Sequence, residues 1–333
     1  MSEFYNRLKE VASPRIGLGC MNLSHGYGHY VPEEQGIRAL NDAFEMGYRH
    51  FDTATLYGGT ANESLLGKAL ASKRRELLLA SKCGMAMDPV SGKRVIDGRP
   101  DTLRRQCEES LTRLKTDHLD LYYLHRMDRQ VPIEESVGAL GRLVEQGKLR
   151  AVGLSEISAD TLRKAHAEYP VAAVQSEYSL WTRNPEIALS QACKELGTAL
   201  VAFSPLGRGF LSGAIHAHTA YAEGDMRAGM PRFNGDNLTH NLGLLARFNS
   251  IAERLEITPT QLALAWVNAQ GSHVIPIPGS RSVPHMQENL TAEQVVLSEA
   301  DRVTLNQMML PGEVAGSRYN DAQQADIDTE EFA

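Results

Sequence analysis

Four polar residues stand where apolar runs of this sequence end, and their types suit proton transfer. They are Asp52, Tyr57, Lys82 and His125. Each alone has an ordinary structural explanation, such as a turn cap, a solvated lysine or a satisfied core histidine. Together they can form a chemical system. A phenol has an ordinary pKa of about 10, so it donates a proton near pH 7 more readily when a cation stabilises the phenolate.

Lys82 can supply that cation, and Asp52 can hold it. At about 4 Å and an effective dielectric constant of about 20, one charge contributes about 4 kcal/mol, against about 1.4 kcal/mol per pKa unit. We therefore expect Lys82 to be able to lower the pKa of Tyr57 by about two or three units. An isolated buried carboxylate is costly. Pairing with Lys82 explains why an apolar strand ends in Asp52.

His125 completes a set that favours carbonyl chemistry. Its imidazole can hydrogen-bond a substrate carbonyl oxygen and orient it toward the Tyr57 hydroxyl, although the sequence does not decide the tautomer. The alternative, a metal-dependent hydrolase, requires clustered ligands. No H-x-H pattern occurs on a strand, and His25 and His29 are separated by "GYG". The pattern therefore predicts a tyrosine acid acting on a carbonyl group, with no metal.

The elements that position these residues alternate along the chain. Eight short apolar runs, rich in β-branched, leucine or aromatic residues, read as strands at 15–20, 49–54, 76–82, 119–125, 150–155, 171–176, 198–204 and 273–279. Helical patterns lie between them, often entered through Asp, Ser, Thr or Pro and left through Gly, at 33–46, 62–71, 101–114, 133–146, 158–168 and 185–196. The polar residues fall at or just after strand ends.

This alternation predicts an α/β fold of the (β/α)8 TIM-barrel type, in one domain over residues 1–333. Runs that are apolar on nearly every residue suit parallel strands buried on both faces. A doubly wound open sheet is the alternative, but no G-x-G-x-x-G follows the first strand. A Gly-rich insertion after strand 7 (206–240) is expected as a long loop, and a tail (311–333) is expected near the barrel mouth.

Bulk composition excludes several classes of protein. The chain has 333 residues and is 42% hydrophobic, with 34 Lys and Arg against 41 Asp and Glu, a net charge of −7. Such a balance gives no electrostatic footprint for nucleic acid or anionic lipid. Four cysteines lack a CxxC spacing, which argues against disulfides and structural zinc. No apolar run approaches the length of a membrane span, so we expect a cytoplasmic protein without membrane insertion.

Longer motifs resemble the aldo-keto reductases across nearly the whole chain. They stand in the family's order as "GLGCMNLS", "FDTATLYG", "NESLLGKAL", "ASKCG", "SLTRLKTDHLDLYYLH", "VEQGKLRAVGLSE", "QSEYSLW", "FSPLGRGFLSG" and "PIPGSRSVPHMQENL". The resemblance implies a (β/α)8 barrel that uses NAD(P)H and an Asp-Tyr-Lys-His tetrad. That tetrad coincides with Asp52, Tyr57, Lys82 and His125.

The resemblance also implies an extended cofactor across the barrel mouth. The matching cofactor contacts are Ser155, Gln175, Phe203, Ser204, Leu206, Gly207, Arg208, Gly279, Ser280, Arg281, Glu288 and Asn289. Phe203 corresponds to the aromatic that stacks on the nicotinamide ring, while Ser155 and Gln175 match residues that hydrogen-bond its carboxamide. In "SPLGRG" (204–209), the glycines allow close backbone approach to the pyrophosphate and Arg208 adds charge.

Residues near the last barrel strand imply NADPH rather than NADH. Ser280 and Arg281 resemble contacts to the 2′-phosphate, which NADH lacks, and the pair Glu288 and Asn289 matches the adenine contacts. Two positions depart from the family pattern. Glu156 stands where many members have Asn, and a carboxylate only accepts hydrogen bonds. His285 stands where many have Arg, which weakens the phosphate site.

We therefore expect NADPH-dependent reduction of an aldehyde or ketone to an alcohol, with Tyr57 as general acid. The alternative is a cofactor-binding regulatory subunit with slow or vestigial reductase activity, as some relatives of this barrel are. Substrate identity and oligomeric state stay open. The substrate pocket is expected to be formed by Met21 to Tyr30, Trp181 and its neighbours, the 206–240 insertion and the tail.

Overall fold

Eight parallel strands form a barrel in the computed structural model, which describes residues 15–28, 30–88 and 90–332. These strands are β1 (Leu18–Gly19), β2 (His50–Asp52), β3 (Leu78–Cys83), β6 (Leu121–Leu124), β7 (Val152–Ser155), β8 (Val171–Glu177), β9 (Ala199–Phe203) and β10 (Val274–Ile277). They pair in that order. Backbone hydrogen bonds from Gly17 to Pro276 (3.0 Å) and from Gly19 to Pro278 (3.2 Å) join the last strand to the first. The predicted (β/α)8 architecture is confirmed.

Alternating side chains of each strand serve two cores. Leu78, Ala80, Leu121 and Val201 are among the residues that fill the barrel interior, whereas their neighbours pack outward against the helices. Gly153 shows how closely the interior is filled, since a Cβ there would lie 2.4 Å from the Tyr123 ring. This two-sided burial explains why the strands read as continuous apolar runs.

Helices surround the barrel and follow most of the predicted boundaries. They are α1 (Glu33–Glu45), α2 (Ala61–Leu70), α3 (Pro100–Leu114), α4 (Ile133–Glu145), α5 (Ala159–Glu168), α6 (Leu189–Leu196), α7 (Gly235–Arg254), α8 (Pro259–Ala269), α9 (Val283–Thr291), α10 (Glu299–Asn306) and α11 (Asp321–Gln324). The first five of the six predicted helices match within one residue at each end. The sixth begins later, at Leu189, because 184–186 forms a separate 3-10 turn.

The loop after β9 is shorter than predicted. Residues 206–234 are irregular with 3-10 turns, but α7 begins at Gly235, so residues 235–240 of the predicted insertion are helical. This helix escaped prediction because its amino-terminal half, "GDNLTHNLGL", is polar and contains two glycines.

A hairpin was also absent from the predicted elements. Strands β4 (Met85–Met87) and β5 (Arg94–Ile96) pair antiparallel immediately after β3, at the carboxyl end of the barrel. Three-residue strands with little apolar alternation leave a weak pattern in a sequence. The hairpin places Arg94 beside the barrel mouth.

Two further findings concern membranes and metals. Across the described ranges, no helix has both the length and the apolar character needed to cross a membrane. Among the same residues, no group of three or more His, Cys, Asp or Glu side chains is arranged to hold a metal ion. All four cysteines are buried and unpaired.

Candidate active site

A large cavity opens at the carboxyl ends of the barrel strands. Its volume is about 910 Å³. Fourteen of the sixteen residues that the sequence singled out line it, including Tyr57, His125 and Arg281. The exceptions are Gly207, which is buried in a turn, and Lys82, which lies beneath the cavity wall with its side chain 1% exposed. Strand ends thus bring distant sequence positions to one surface, as parallel barrels do.

Lys82 is held by three oxygen atoms under the cavity floor. Its Nζ donates to an Asp52 carboxylate oxygen, to the Thr53 carbonyl oxygen at 2.9 Å and to the Tyr57 hydroxyl at 3.2 Å. The second Asp52 oxygen accepts a hydrogen bond from Gln175 Nε2 at 2.8 Å. The buried carboxylate is therefore paired and hydrogen-bonded on both oxygens, which offsets its desolvation.

Burial has the largest effect on the pKa of Tyr57 in the protein without ligand. Desolvation raises the pKa of this phenol above its ordinary value of 10, and the Lys82 ammonium opposes that rise without cancelling it. The expected lowering by about two or three units is therefore not the net result in this state, because desolvation of the buried phenol outweighs the effect of the ammonium. Burial also tends to lower the pKa of Lys82, but Asp52 and then Tyr57 raise it above 10.5, so the ammonium stays charged.

His125 is a neutral imidazole beside Tyr57. Burial, followed by the positive charges of Arg126 and Lys82, holds its pKa well below 6.5. The ring meets Tyr57 edge-on with centroids 5.7 Å apart, and His25 stacks on Tyr57 at the same centroid distance. Nδ1 of His125 is buried and has no hydrogen-bond partner within the described residues. A neutral ring can donate one N–H to a ligand oxygen.

The turn after β9 has an unusual backbone. Ser204, Gly207, Arg208 and Gly209 all have positive φ, at 49°, 55°, 57° and 93°. Non-glycine residues in this region carry strain that tends to mark functional turns. A Cβ at Gly207 would also crowd the Trp181 ring, at 3.0 Å. Ser204, Leu206 and Arg208 line the cavity next to Phe203.

Arg208 does not present an uncompensated charge to the cavity. Its guanidinium pairs with Glu177 at 2.8 Å and donates to the Tyr319 hydroxyl at 3.1 Å. Its side chain is 5% exposed. The positive charge that Arg208 was expected to add to a pyrophosphate clasp is therefore already paired with a carboxylate.

Glu156 has a partner that accounts for its departure from the family pattern. The carboxylate pairs with Arg318 of the tail at 2.8 Å and accepts a hydrogen bond from the Glu177 backbone N–H at 2.8 Å. Its own backbone is left-handed, with φ 55°, and its carbonyl oxygen accepts from the Asp328 N–H. Glu156 is thus one of the residues that hold the tail, and it does not line the cavity.

The far end of the cavity is formed by the loop after β10 and the start of α9. The Ser280 hydroxyl is tied to Ser282, accepting from its N–H at 3.1 Å and donating to its carbonyl oxygen at 3.2 Å. Asn289 is buried, and its Oδ1 has no hydrogen-bond partner in the part of the chain that is described. Gly279, Arg281 and Glu288 share this wall.

Sequence reasoning placed part of the cavity wall incorrectly. Trp181 does not line the cavity, because its ring stacks on Phe210 with centroids 3.9 Å apart. Residues it missed include Arg94 and Arg126, whereas the tail contributes Tyr319, Gln323 and Asp326 as expected. Arg126 had a signal, since it directly follows His125. Arg94 comes from the hairpin, whose position depends on long-range contacts.

A family model decides the classification. The model described as "Aldo/keto reductase family" matches residues 15–309 of this chain. The chain belongs to the aldo/keto reductase family. It is similar to "Probable aldo-keto reductase 1" of Glycine max, with 44% identity over 92% of this chain and 88% of that protein. It is also similar to "Aldo-keto reductase yakc [NADP(+)]" of Schizosaccharomyces pombe, with 42% identity over 92% and 91% of the two chains.

Solved structures of family members have the same barrel. The glycerol dehydrogenase AKR11B4 from Gluconobacter oxydans superposes with a TM-score of 0.82 at 27% identity, covering 96% of this chain and 95% of that one. An aldo/keto reductase from Klebsiella pneumoniae, solved in complex with NADP and acetate, has a TM-score of 0.70 at 26% identity, covering 92% and 94%.

Proposed function

We propose that this aldo/keto reductase reduces an aldehyde or ketone to an alcohol with NADPH, and that Tyr57 is the general acid. The protein is an NADP-dependent oxidoreductase. The observation that carries the proposal is the contact of 3.2 Å between the Lys82 ammonium and the Tyr57 hydroxyl at the floor of the cavity. A phenol in that position has a fixed cation ready to stabilise negative charge as its proton leaves.

The residues along the cavity fit an extended dinucleotide. The Asn289 amide oxygen is buried and has no hydrogen-bond partner among the described residues. Buried polar groups are normally hydrogen-bonded, so this oxygen is suited to bind a ligand. The positive-φ turn at 204–209 brings backbone close to the middle of the cavity. We propose that Ser155, Gln175 and Phe203 hold the nicotinamide end. The turn residues Ser204, Leu206, Gly207 and Arg208 would hold the pyrophosphate, and Gly279, Ser280, Arg281, Glu288 and Asn289 the adenosine end. When bound, NADPH supplies a hydride.

The chain's own residues then manage the proton and the carbonyl oxygen. His125, as a neutral imidazole, donates a hydrogen bond that orients the carbonyl toward Tyr57. Tyr57 gives its proton to the oxygen as alkoxide character develops. Lys82 stabilises the resulting phenolate, and Asp52 with Gln175 keeps the ammonium in place.

Loss of absorbance of reduced cofactor tests this function. Purified protein with NADPH and a panel of small aldehydes, ketones, dicarbonyls and sugars is expected to oxidise the cofactor in step with alcohol formation. Turnover below about one per minute with every compound would contradict the enzyme assignment and favour the regulatory alternative. The ordinary range for enzymes is about 1–10³ per second.

Arg281 is expected to set the preference for NADPH. Arg281→Met should weaken NADPH binding by about tenfold or more, because a charge-assisted hydrogen bond to the 2′-phosphate is lost. NADH lacks that phosphate and serves as the internal control, so its affinity should stay within about twofold. Fluorescence titration of both cofactors measures the difference. Equal weakening of both would show that Arg281 does not contact the phosphate.

A further inference from the structure

The arginines on the cavity wall differ in how they are neutralised. Three of them each face a carboxylate, in the pairs Arg94–Asp326, Arg208–Glu177 and Arg227–Asp225. Arg126 also lines the cavity, yet within the described residues it has no carboxylate partner. The wall beside the tetrad therefore carries an uncompensated positive charge.

The guanidinium of Arg126 is fixed at one corner and open along one edge. Its Nη1 donates to the His125 carbonyl oxygen at 2.6 Å and to the Ser155 hydroxyl oxygen at 3.3 Å. Nε and Nη2 have no hydrogen-bond partner in the described ranges. Arg126 is half-buried, so part of its side chain stays accessible. The Nε–Nη2 edge is one that binds a carboxylate or phosphate through two parallel hydrogen bonds.

The charge lies close to the groups proposed to act on the carbonyl. The positive charge of Arg126 contributes to the low pKa of His125 and opposes the rise in the pKa of Tyr57. Direct hydrogen bonds attach it to the residue that carries the imidazole and to Ser155. An acidic group on a substrate whose carbonyl oxygen meets Tyr57 and His125 can thus reach this guanidinium from within the cavity.

We infer that Arg126 is a specificity-determining residue that binds an anionic group, a carboxylate or a phosphate, on the carbonyl substrate. This inference rests on the proposed reductase function and deepens it by naming a substrate class. The preferred substrates are aldehydes or ketones that carry an acidic group a few bonds from the carbonyl. Neutral carbonyl compounds of the same shape leave the guanidinium without its partner.

A pair of matched substrates tests this inference. 4-Carboxybenzaldehyde and methyl 4-formylbenzoate share a ring and an aldehyde and differ in charge. For the unaltered protein, kcat/KM is expected to be at least about tenfold higher with the carboxylate. Arg126→Met should lower kcat/KM for the carboxylate by about 10- to 100-fold, the effect of losing a charged hydrogen-bonded pair, and change that for the ester by less than about threefold.

Control variants separate this role from a change in overall charge. Arg150 is exposed and precedes β7 at the end of the barrel opposite the cavity, so Arg150→Met should change neither substrate's kcat/KM by more than about twofold. Arg126→Lys keeps the charge without the fork and should restore part of the preference. Comparing kcat/KM for glyceraldehyde 3-phosphate with that for glyceraldehyde repeats the test with a phosphate as the anionic group.

The outcomes are distinguishable. A preference for the charged compound over its neutral analogue that disappears in Arg126→Met supports the inference. Whether the carboxylate pair or the phosphate pair shows this preference identifies the anion. An equal fall in kcat/KM for the charged and neutral compounds would overturn it. Such a fall is expected if Arg126 only positions Ser155 or only assists proton donation by Tyr57. Absence of turnover with all four compounds and the wider carbonyl panel would instead contradict the reductase function itself.

Discussion

Tyr57→Phe is expected to reduce kcat for aldehyde reduction by about 10²- to 10⁴-fold, the usual contribution of a general acid. The change removes the hydroxyl that meets Lys82 at 3.2 Å and keeps the ring that packs between His25 and His125. NADPH affinity should stay within about threefold, because none of the proposed cofactor contacts is lost. Single-turnover kinetics and fluorescence titration measure the two quantities separately.

The matched control is Tyr169→Phe. Tyr169 follows α5, where its backbone N–H caps that helix, and its side chain does not line the cavity. Its loss of a hydroxyl should change kcat by less than about threefold. Near-normal turnover of Tyr57→Phe would remove the proposed acid, and a collapse of NADPH binding in that variant would indicate a structural role.

Arg318→Met is expected to destabilise the protein by about 3–5 kcal/mol, the cost of leaving a buried charge without its partner. Arg318 pairs with Glu156 at 2.8 Å and approaches Glu177 at 3.9 Å, and the Glu156 side chain has 0% exposure. Calorimetry should show a lower thermal midpoint. Because this pair is one of the contacts that hold the tail, proteases should also cleave the tail near residue 318 more quickly.

Two variants check the explanation. Glu156→Gln combined with Arg318→Met removes both charges and should recover most of the stability. Arg302→Met breaks an exposed pair with Glu299 and should change the free energy of unfolding by less than about 1 kcal/mol. An Arg318→Met protein as stable as the double variant would show that the cluster does not depend on charge pairing.

The sequence predicted the barrel and the position of the tetrad for one physical reason. Strands buried on both faces read as apolar runs, and polar residues that end such runs lie together at the carboxyl end of a parallel barrel. Lys82 and His125 could therefore be placed on adjacent strands from the order of the apolar runs alone. The assignment of residues 1–333 to one domain stays a prediction.

Features that depend on distant pairing could not be predicted. Glu156 and Arg318 are 162 positions apart, and neither has a local pattern that names the other. Arg208 was expected to add charge to the pyrophosphate clasp, and the sequence does not show that Glu177 lies 2.8 Å from it. Trp181 was assigned to the pocket by residue type, whereas its stacking on Phe210 is set by the packing of the loop after β9.

The concealment of Lys82 has a consequence for how this protein tolerates change in its cavity wall. Its ammonium is sealed below the cavity surface, so a bound molecule meets the Tyr57 phenol and not the Lys82 charge. Loops, hairpin and tail can then exchange side chains freely to admit new compounds, since none of those changes reaches the charge that tunes the acid. Substitutions that change which substrate binds can therefore leave the proton donor Tyr57 and its partner Lys82 unaltered.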